Sequence, residues 1–395
     1  MRKPLCIAPF MGLRISADGH INPCCWMRRM RNVKTSTMKI DQYWNSGEVR
    51  ALRAKMFEDK LPTICNRCTT VGDNIDYKRI QFYNDVMDDN KDINDEWVVD
   101  QPFKIRQMDM NFSNKCNLKC RHCGPWNSTS WMKDYQKLRE VQSDLTSDYY
   151  KVNVGNNSFI HDREVFEHVR KIDFKGGEPM MQEEMYILLE NLVKWDLAKN
   201  IRITYITNGT KPSKHLHSLW KHFRKINISL SVEATGELFE YVRGGNTLTW
   251  GQFNDSLKEY ASLDFITSVG LSHTLMNFTL FNTPSTLEWL AESSSKYKLK
   301  SKKVTVDDKS WDNMVTDPPY LNINVLPKAL KLKVIKMNKQ TGYKALIPIT
   351  NALIQSLGKS ETRYWNQFKT YTKTLDKIRN ESLGSIVPEF KDYIE

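Results

Sequence analysis

Residues Ile105-Arg106-Gln107-Met108-Asp109-Met110-Asn111-Phe112-Ser113-Asn114-Lys115-Cys116-Asn117-Leu118-Lys119-Cys120-Arg121-His122-Cys123 decide how this chain is read. The first eight predict a β-strand. Gln107, Asp109 and Asn111 alternate with Arg106, Met108, Met110 and Phe112, the period of two that separates the faces of a strand. A polar parity on a strand with an apolar opposite face suits either a polar cavity or a set of side chains that hydrogen-bond one another. Directly after the strand comes a C-x3-C-x2-C loop, Cys116, Cys120 and Cys123.

Working outward, the segment after the loop alternates strand and helix patterns. The candidate strands are Ile105–Phe112, Lys171–Phe174, Ile201–Ile206, Ile226–Val232, Ile266–Leu271 and Tyr320–Val325. Helical stretches at about 128–143, 181–196, 213–223, 250–262 and 285–297 separate them. This alternation predicts an α/β fold, a partial (βα)6 barrel of parallel strands with helices outside. In such folds ligands sit at the carboxyl ends of the strands. The segments found there are Lys175-Gly176-Gly177-Glu178-Pro179, Thr207-Asn208-Gly209-Thr210 and Ser229-Leu230-Ser231-Val232-Glu233-Ala234, followed by Arg243-Gly244 one helix later. Alone, each is an ordinary turn or strand end.

The chain has 395 residues and eight cysteines, Cys6, Cys24, Cys25, Cys65, Cys68, Cys116, Cys120 and Cys123, with none after position 123. A disulfide scaffold is short and cysteine-dense; bunched cysteines in a long chain read first as metal or cluster ligands. A zinc site wants four ligands in paired spacings. Three close thiolates instead suit three irons of a [4Fe–4S] cluster, leaving the fourth iron open. His122, inside the loop, is read as packing beside the cluster rather than ligating it. Cys6, Cys24, Cys65 and Cys68 form a second set of four, compatible with zinc or with a second [4Fe–4S] cluster. Around them, Asp18-Gly19 between short β-type runs predicts a hairpin. Ser46 predicts the cap of a helix carrying Val49, Leu52, Arg53 and Met56. The expected layout is a cysteine-rich hairpin and helix domain at 1–75, a polar linker at 76–102, the barrel at 103–326 and a helical extension at 327–395.

Cys116, Cys120 and Cys123 followed by Gly176-Gly177-Glu178-Pro179 resemble the cluster loop and GGEP motif of radical S-adenosylmethionine (SAM) enzymes. The amino-terminal segment resembles the twitch module, a shortened SPASM-type module that carries an auxiliary iron–sulfur cluster. In this chain it precedes the radical SAM domain instead of following it. The resemblance implies a [4Fe–4S] cluster on Cys116, Cys120 and Cys123 that binds S-adenosylmethionine. It also implies a second [4Fe–4S] cluster on Cys6, Cys24, Cys65 and Cys68. Cys24 fits the Pro-Cys position of that module better than Cys25, which is free to be a small buried hydrophobe. The cofactor contacts it implies are His122, Gly176, Gly177, Glu178, Pro179, Asn208, Ser229, Ser231, Glu233 and Arg243. The implied chemistry is reductive cleavage of SAM to a 5′-deoxyadenosyl radical that abstracts hydrogen from a substrate. The implied partners are a flavodoxin- or ferredoxin-like one-electron donor and a peptide or protein side chain as substrate. A nucleotide- or sugar-derived small molecule is the alternative. No general acid, general base or radical-quenching residue is evident.

Composition limits the rivals. Lysines and arginines number 58 against 46 acids, a formal charge of +12. That balance fits an anionic partner, but the lysines are scattered, with small clusters such as Lys298, Lys300, Lys302 and Lys303. A zinc-dependent nucleic-acid-binding protein is therefore the weaker reading, and it leaves the GGEP segment unexplained. A two-cluster electron carrier has the same defect. No run approaches about 18 apolar residues, so no membrane span is expected. The first residues lack a signal-peptide core, and the expected location is cytoplasmic. With 40% hydrophobic residues the chain has material for a large core.

Overall fold

A computed structural model of the chain describes residues 4–30, 33–58, 62–65, 97–141, 155–244, 247–298, 314–315, 317–358 and 362–394. Cys68, most of the expected linker, and Lys300, Lys302 and Lys303 lie outside the described residues. The strands are β1 Gly12–Ile15, β2 Ile21–Asn22, β3 Gln107–Met110, β4 Lys171–Phe174, β5 Arg202–Thr207, β6 Lys225–Ser231 and β7 Ser268–Ser272. The longer helices are α1 Gly47–Lys55, α2 Met132–Val141, α3 Glu183–Lys194, α4 Lys214–Trp220, α5 Gly236–Arg243, α6 Trp250–Ser262, α7 Thr283–Tyr297, α8 Lys328–Thr341, α9 Ile347–Gln355 and α10 Thr362–Arg379. The strands join one sheet in the order β2-β1-β3-β4-β5-β6-β7. The mostly parallel sheet with alternating helices is the α/β architecture that the hydrophobic pattern predicts.

Side-chain caps explain several helix starts. Ser46 accepts from the Val49 amide at 3.3 Å, Ser213 from Leu216 at 3.1 Å and Thr249 from Gln252 at 3.1 Å. Each satisfies an N–H that the helix itself leaves unpaired, worth about 1 kcal/mol.

Contacts divide the chain into two compact units. The first comprises Met1–Asn114, Val152–Ile206 and Pro212–Asn227. Here β1 turns into β2 through Asp18-Gly19. Gly19 adopts a φ of +79°, which an L side chain resists, and Ser16 Oγ donates to Asp18 Oδ1 at 2.7 Å. Unlike a free-standing hairpin, β1 also pairs in parallel with β3, with Arg14 opposite Asp109 and Ile15 opposite Met110. The amino-terminal segment thus contributes a parallel strand to the sheet.

The registers sort side chains cleanly. One face carries the rows Leu13, Met108, Ile172, Ile203 and Ile15, Met110, Phe174, Tyr205. Phe174 stacks on Tyr205 at 5.3 Å, and the Trp220 indole donates to the Tyr205 hydroxyl at 3.0 Å. Each such buried side chain contributes about 1.5–3 kcal/mol. The opposite face carries Gln107, Lys171, Arg202 and Arg14, Asp109, Asp173. These polar residues pair with one another: Lys175 Nζ donates to Asp109 at 2.8 Å, while Lys171 Nζ and Gln107 Nε2 each reach Asp173 at 3.2 Å. Burial alone would raise the Asp173 carboxyl, but Lys171 and Lys175 hold it below the ordinary carboxylate range.

The second unit comprises Lys115–Lys151, Thr207–Lys211 and Ile228–Glu395. It holds the cysteine loop, the end of β6, β7 and helices α5 to α10, with α2 directly after the loop. The strand expected at Tyr320–Val325 is absent. Two short 3-10 turns, Pro319–Leu321 and Ile323–Val325, replace it. The physical reason is local: Pro319 supplies no N–H for a ladder, and Asn322 Oδ1 accepts from the Asn324 amide at 2.9 Å, a side-chain bond that competes with sheet pairing.

Candidate functional site

The three-cysteine loop is built from its main chain outward. Ser128 Oγ donates to the Leu118 carbonyl at 2.5 Å and Ser130 Oγ to the Cys116 carbonyl at 2.8 Å. The Trp131 indole donates to the Cys120 carbonyl at 2.8 Å. The Arg121 amide donates to the Val242 carbonyl at 2.7 Å. At the far end of α5, Gly244 takes a φ of +94°, and a Cβ there would lie 2.8 Å from the Lys119 carbonyl oxygen. Glycine lets α5 end against the loop.

Hydrogen-bond donors are directed at the sulfurs. The Leu118 amide lies 3.4 Å from Cys116 Sγ, Asn208 Nδ2 3.8 Å from the same atom, and Arg243 Nη1 3.6 Å from Cys120 Sγ. Asn208 also donates to Asn117 Oδ1 at 2.8 Å, while its own Oδ1 accepts from the Thr210 amide at 2.9 Å. It therefore shapes the turn after β5 and reaches the loop. Burial pushes the Cys120 and Cys123 thiols up. As thiolates they need compensating positive charge, which bound iron supplies. Among the described residues no three Cys, His, Asp or Glu side chains converge on one ion position. Three thiolates that each hold a different iron of a cluster need no such convergence. The donor set and its N–H partners fit a cluster.

Around Cys120 lies a buried ionic group. Arg243 holds Glu233 with two contacts, Nη2 to Oε1 at 3.0 Å and Nε to Oε2 at 2.9 Å. His122 Nε2 is 3.8 Å from Glu233 Oε1, and His273, just after β7, hydrogen-bonds the Glu233 main chain. Burial raises the Glu233 carboxyl to about 7, opposed by Arg243. Burial, with Arg243 nearby, lowers His122 and His273 to about 3, so both imidazoles are neutral at neutral pH. Ser229 and Ser231 stand half-buried on one face of β6.

The His273 shift has a measurable sign. Its folded-state value lies below the ordinary 6.5. Between those limits the unfolded chain binds the extra proton, so this histidine makes stability rise with pH from about 3 to about 6.5. Glu233, raised from 4.5 to about 7, acts in the opposite sense over its own window. Metal-free His273→Gln should lose about one proton of the positive slope in urea midpoint against pH below 6.5. An unchanged slope would show that His273 is not held neutral.

In the first unit, the GGEP segment forms a tight turn. Gly176 and Gly177 take φ values of +75° and +51°. A Cβ on Gly176 would lie 1.9 Å from Asn111 Nδ2. Gln182 Nε2 donates to the Gly176 carbonyl at 2.8 Å. Glu178 is fully buried, and its side chain accepts from the Met180 amide at 3.2 Å, capping the 3-10 turn that Pro179 opens.

The amino-terminal cysteines lie in this unit. Cys24 has both Cys6 and Cys25 close enough to oppose its ionisation, and the Trp26 and Met27 amides hydrogen-bond its sulfur. Cys25, next along the chain, also faces Lys175, Asp109, Arg14 and Asp173 of the polar sheet face. Burial raises both thiols. Cys65 ends the 3-10 turn Thr63–Cys65. No helix among the described residues is long and apolar enough to cross a membrane.

Asn117, Trp131 and His273 complete the second unit's constellation, and none of them is among the contacts that the sequence implies. His273 was accessible by the rule that ligands gather at strand ends, since it follows the predicted strand at Ile266–Leu271. Asn117 and Trp131 carry no motif of their own.

Comparison with known proteins agrees with these features. Residues 110–290 match the family model described as Radical SAM superfamily, and residues 6–69 match SPASM, an iron–sulfur cluster-binding domain. The second match favours iron–sulfur over zinc at the amino-terminal cysteines. A GTP 3′,8-cyclase of Staphylococcus carnosus (strain TM300) is 27% identical over 169 residues, 42% of this chain and 43% of that protein. One of Rhizobium etli (strain CIAT 652) is 26% identical over 164 residues, 40% and 41% of the two chains. The chain spans less than half the length of these curated relatives. Streptococcus suis SuiB bound to S-adenosylmethionine aligns with a TM-score of 0.33 and 13% identity over 84% of this chain and 69% of that one. Native anSMEcpe with bound AdoMet aligns with a TM-score of 0.35 and 17% identity over 60% and 62%.

Proposed function

From residues 110–290 as a domain of the radical SAM superfamily and residues 6–69 as a SPASM-type iron–sulfur domain, we propose that this chain is a radical SAM enzyme with two [4Fe–4S] clusters. Cys116, Cys120 and Cys123 hold the SAM-binding cluster, and Cys6, Cys24, Cys65 and Cys68 hold the auxiliary one. When bound, the reduced cluster and SAM supply a 5′-deoxyadenosyl radical for hydrogen abstraction. The observation that carries this reading is the set of N–H donors on the loop sulfurs, above all Arg243 Nη1 at 3.6 Å from Cys120 Sγ. In this reading the chain's own residues position and shield. Asn208 and the Leu118 amide orient Cys116, and Arg243 orients Cys120 while Glu233 balances its charge. Gly176 and Gly177 are the proposed main-chain contacts to a cofactor amino group, with the Asn111 side chain filling the space that a Gly176 Cβ would take. His122, Glu178, Pro179, Ser229 and Ser231 complete the proposed contacts.

The proposed substrate is a peptide or protein side chain, supported by the SPASM-type module. A small anionic molecule is the second reading. It is favoured by the GTP 3′,8-cyclase relatives and by the cations of one sheet face, buried Lys171 and Arg202 and half-buried Arg14, with half-buried Lys175 just beyond β4. The proposed electron donor is a flavodoxin- or ferredoxin-like protein, and the proposed compartment is the cytoplasm.

The test is anaerobic reconstitution, an iron count, and incubation with dithionite and SAM. About eight irons per chain and formation of 5′-deoxyadenosine are expected. About four irons with one zinc would make the amino-terminal site structural. An iron-free folded protein without deoxyadenosine would overturn the enzyme. Added peptides or nucleoside triphosphates that raise deoxyadenosine above the uncoupled background separate the two substrate readings.

A further inference from the structure

The carboxy-terminal segment grips the cysteine loop from behind. Arg379 Nη2 donates to the Lys119 carbonyl at 2.9 Å, and the Tyr371 hydroxyl donates to the Arg121 carbonyl. With Trp131 on the Cys120 carbonyl, three consecutive loop carbonyls are held, the outer two by α10. Arg121, whose side chain is 1% exposed, reaches Asp376 Oδ1 at 2.6 Å and Glu381 Oε2 at 2.5 Å. Its guanidinium lies 3.5 Å over the Tyr241 ring. Arg379 Nε donates to Asp134 Oδ2 at 2.9 Å, and Lys119 Nζ meets the same oxygen at 3.0 Å. The charges close: Lys119, Arg121 and Arg379 against Asp134, Asp376 and Glu381. Removing one member of such a group leaves its partner's charge desolvated and uncompensated.

We propose that Tyr371, Asp376, Arg379 and Glu381 are positioning residues for the cluster, a clasp that presets the loop between Cys116 and Cys123 before iron enters. The inference rests on the cluster assignment above. Outer-shell partners of this kind orient the ligands themselves. The clasp also joins residues 255 and 260 positions apart, Arg121 with Asp376 and with Glu381. The loop therefore reaches its preset form only after the chain has been made through position 381.

The experiment compares the full-length protein with Tyr371→Phe, Glu381→Gln and, as a control on the exposed side of α10, Thr370→Ala. Tyr371→Phe removes one hydroxyl and keeps the ring, so folding is preserved even where a charge deletion disturbs it. Two readouts are taken. In the metal-free protein, amide hydrogen exchange at 117–123 should speed up in both clasp variants and stay unchanged in Thr370→Ala. In the reconstituted protein, iron release to EDTA, followed by loss of the SAM-responsive EPR signal, should be roughly tenfold or more faster in the clasp variants. Exchange and release at the parent rate in both clasp variants would overturn the clasp. Should triple replacement of Cys116, Cys120 and Cys123 leave the iron content at the parent value, the cluster assignment fails, and the exchange arm alone decides whether the tail orders the loop.

Discussion

Cys120→Ala is expected to abolish 5′-deoxyadenosine formation. Of the three loop cysteines, Cys120 is the buried one. It is 7% exposed, its carbonyl is held by Trp131, and its sulfur faces Arg243. A cluster bound by three thiolates has no spare ligand, so deletion of one removes the site and not a fraction of it. Iron should fall from about eight to about four per chain, because the amino-terminal cysteines are untouched. The fold should survive. The lost atom is one sulfur, and Arg243 keeps both contacts to Glu233, so the stability change in the metal-free protein should stay near 1 kcal/mol. Chromatographic quantification of deoxyadenosine, an iron assay and a urea melt check the three parts. Deoxyadenosine produced at the parent rate by the folded variant would remove Cys120 from the cluster. Cys25→Ala provides the contrast. Its thiol sits among Arg14, Asp109, Asp173 and Lys175, and the iron count should not change.

Much of this arrangement is legible in the residue order, for local reasons. Strand and helix alternation from 171 to 297 reads correctly because each element carries its own period and many carry their own cap. Ser213, Thr249 and the Asp18-Gly19 turn each act within a few residues. The polar parity of β3 also reads locally, and its partners prove to be Lys171, Asp173 and Lys175 on the neighbouring strand and its exit. Where contacts join distant segments, the sequence is silent. Nothing in Gly12–Ile15 announces pairing with β3 across some 95 residues, since a short apolar strand has no address. The stretch Tyr320–Val325 misleads for the opposite reason: its β-favouring side chains are overruled by Pro319 and by the Asn322 side chain. The clasp on the cysteine loop is the least readable feature. Asp376 and Glu381 look like ordinary helix-end acids, and only the fold brings them to Arg121. Glu178 shows how a motif conceals its local work, since within the GGEP segment it caps the turn that follows.

Arg243→Ala is expected to cost about 3–5 kcal/mol in the metal-free protein, because it strands a buried carboxylate. Glu233 is 2% exposed, and both of its oxygens lie within 3.0 Å of the guanidinium. The carboxyl has two ways to respond. It can stay ionised and unpaired, at the full desolvation cost, or take up a proton, at a cost set by pH. Its value is already raised to about 7 with Arg243 in place. Removing the arginine's attraction raises it further, so protonation is the cheaper response. The loss in Arg243→Ala should therefore grow as pH rises. Unfolded Glu233 releases its proton near 4.5, and the variant's folded state holds that proton well above 7. Urea denaturation at pH 5 and pH 8 should show a clearly larger loss at pH 8. Adding Glu233→Gln removes the charge and the pH dependence together. The double variant should recover part of the loss, with a coupling of about 1–3 kcal/mol between the two positions. Equal losses at both pH values, with additive single effects, would mean that Glu233 is solvated in the native protein and that Arg243 acts on Cys120 alone.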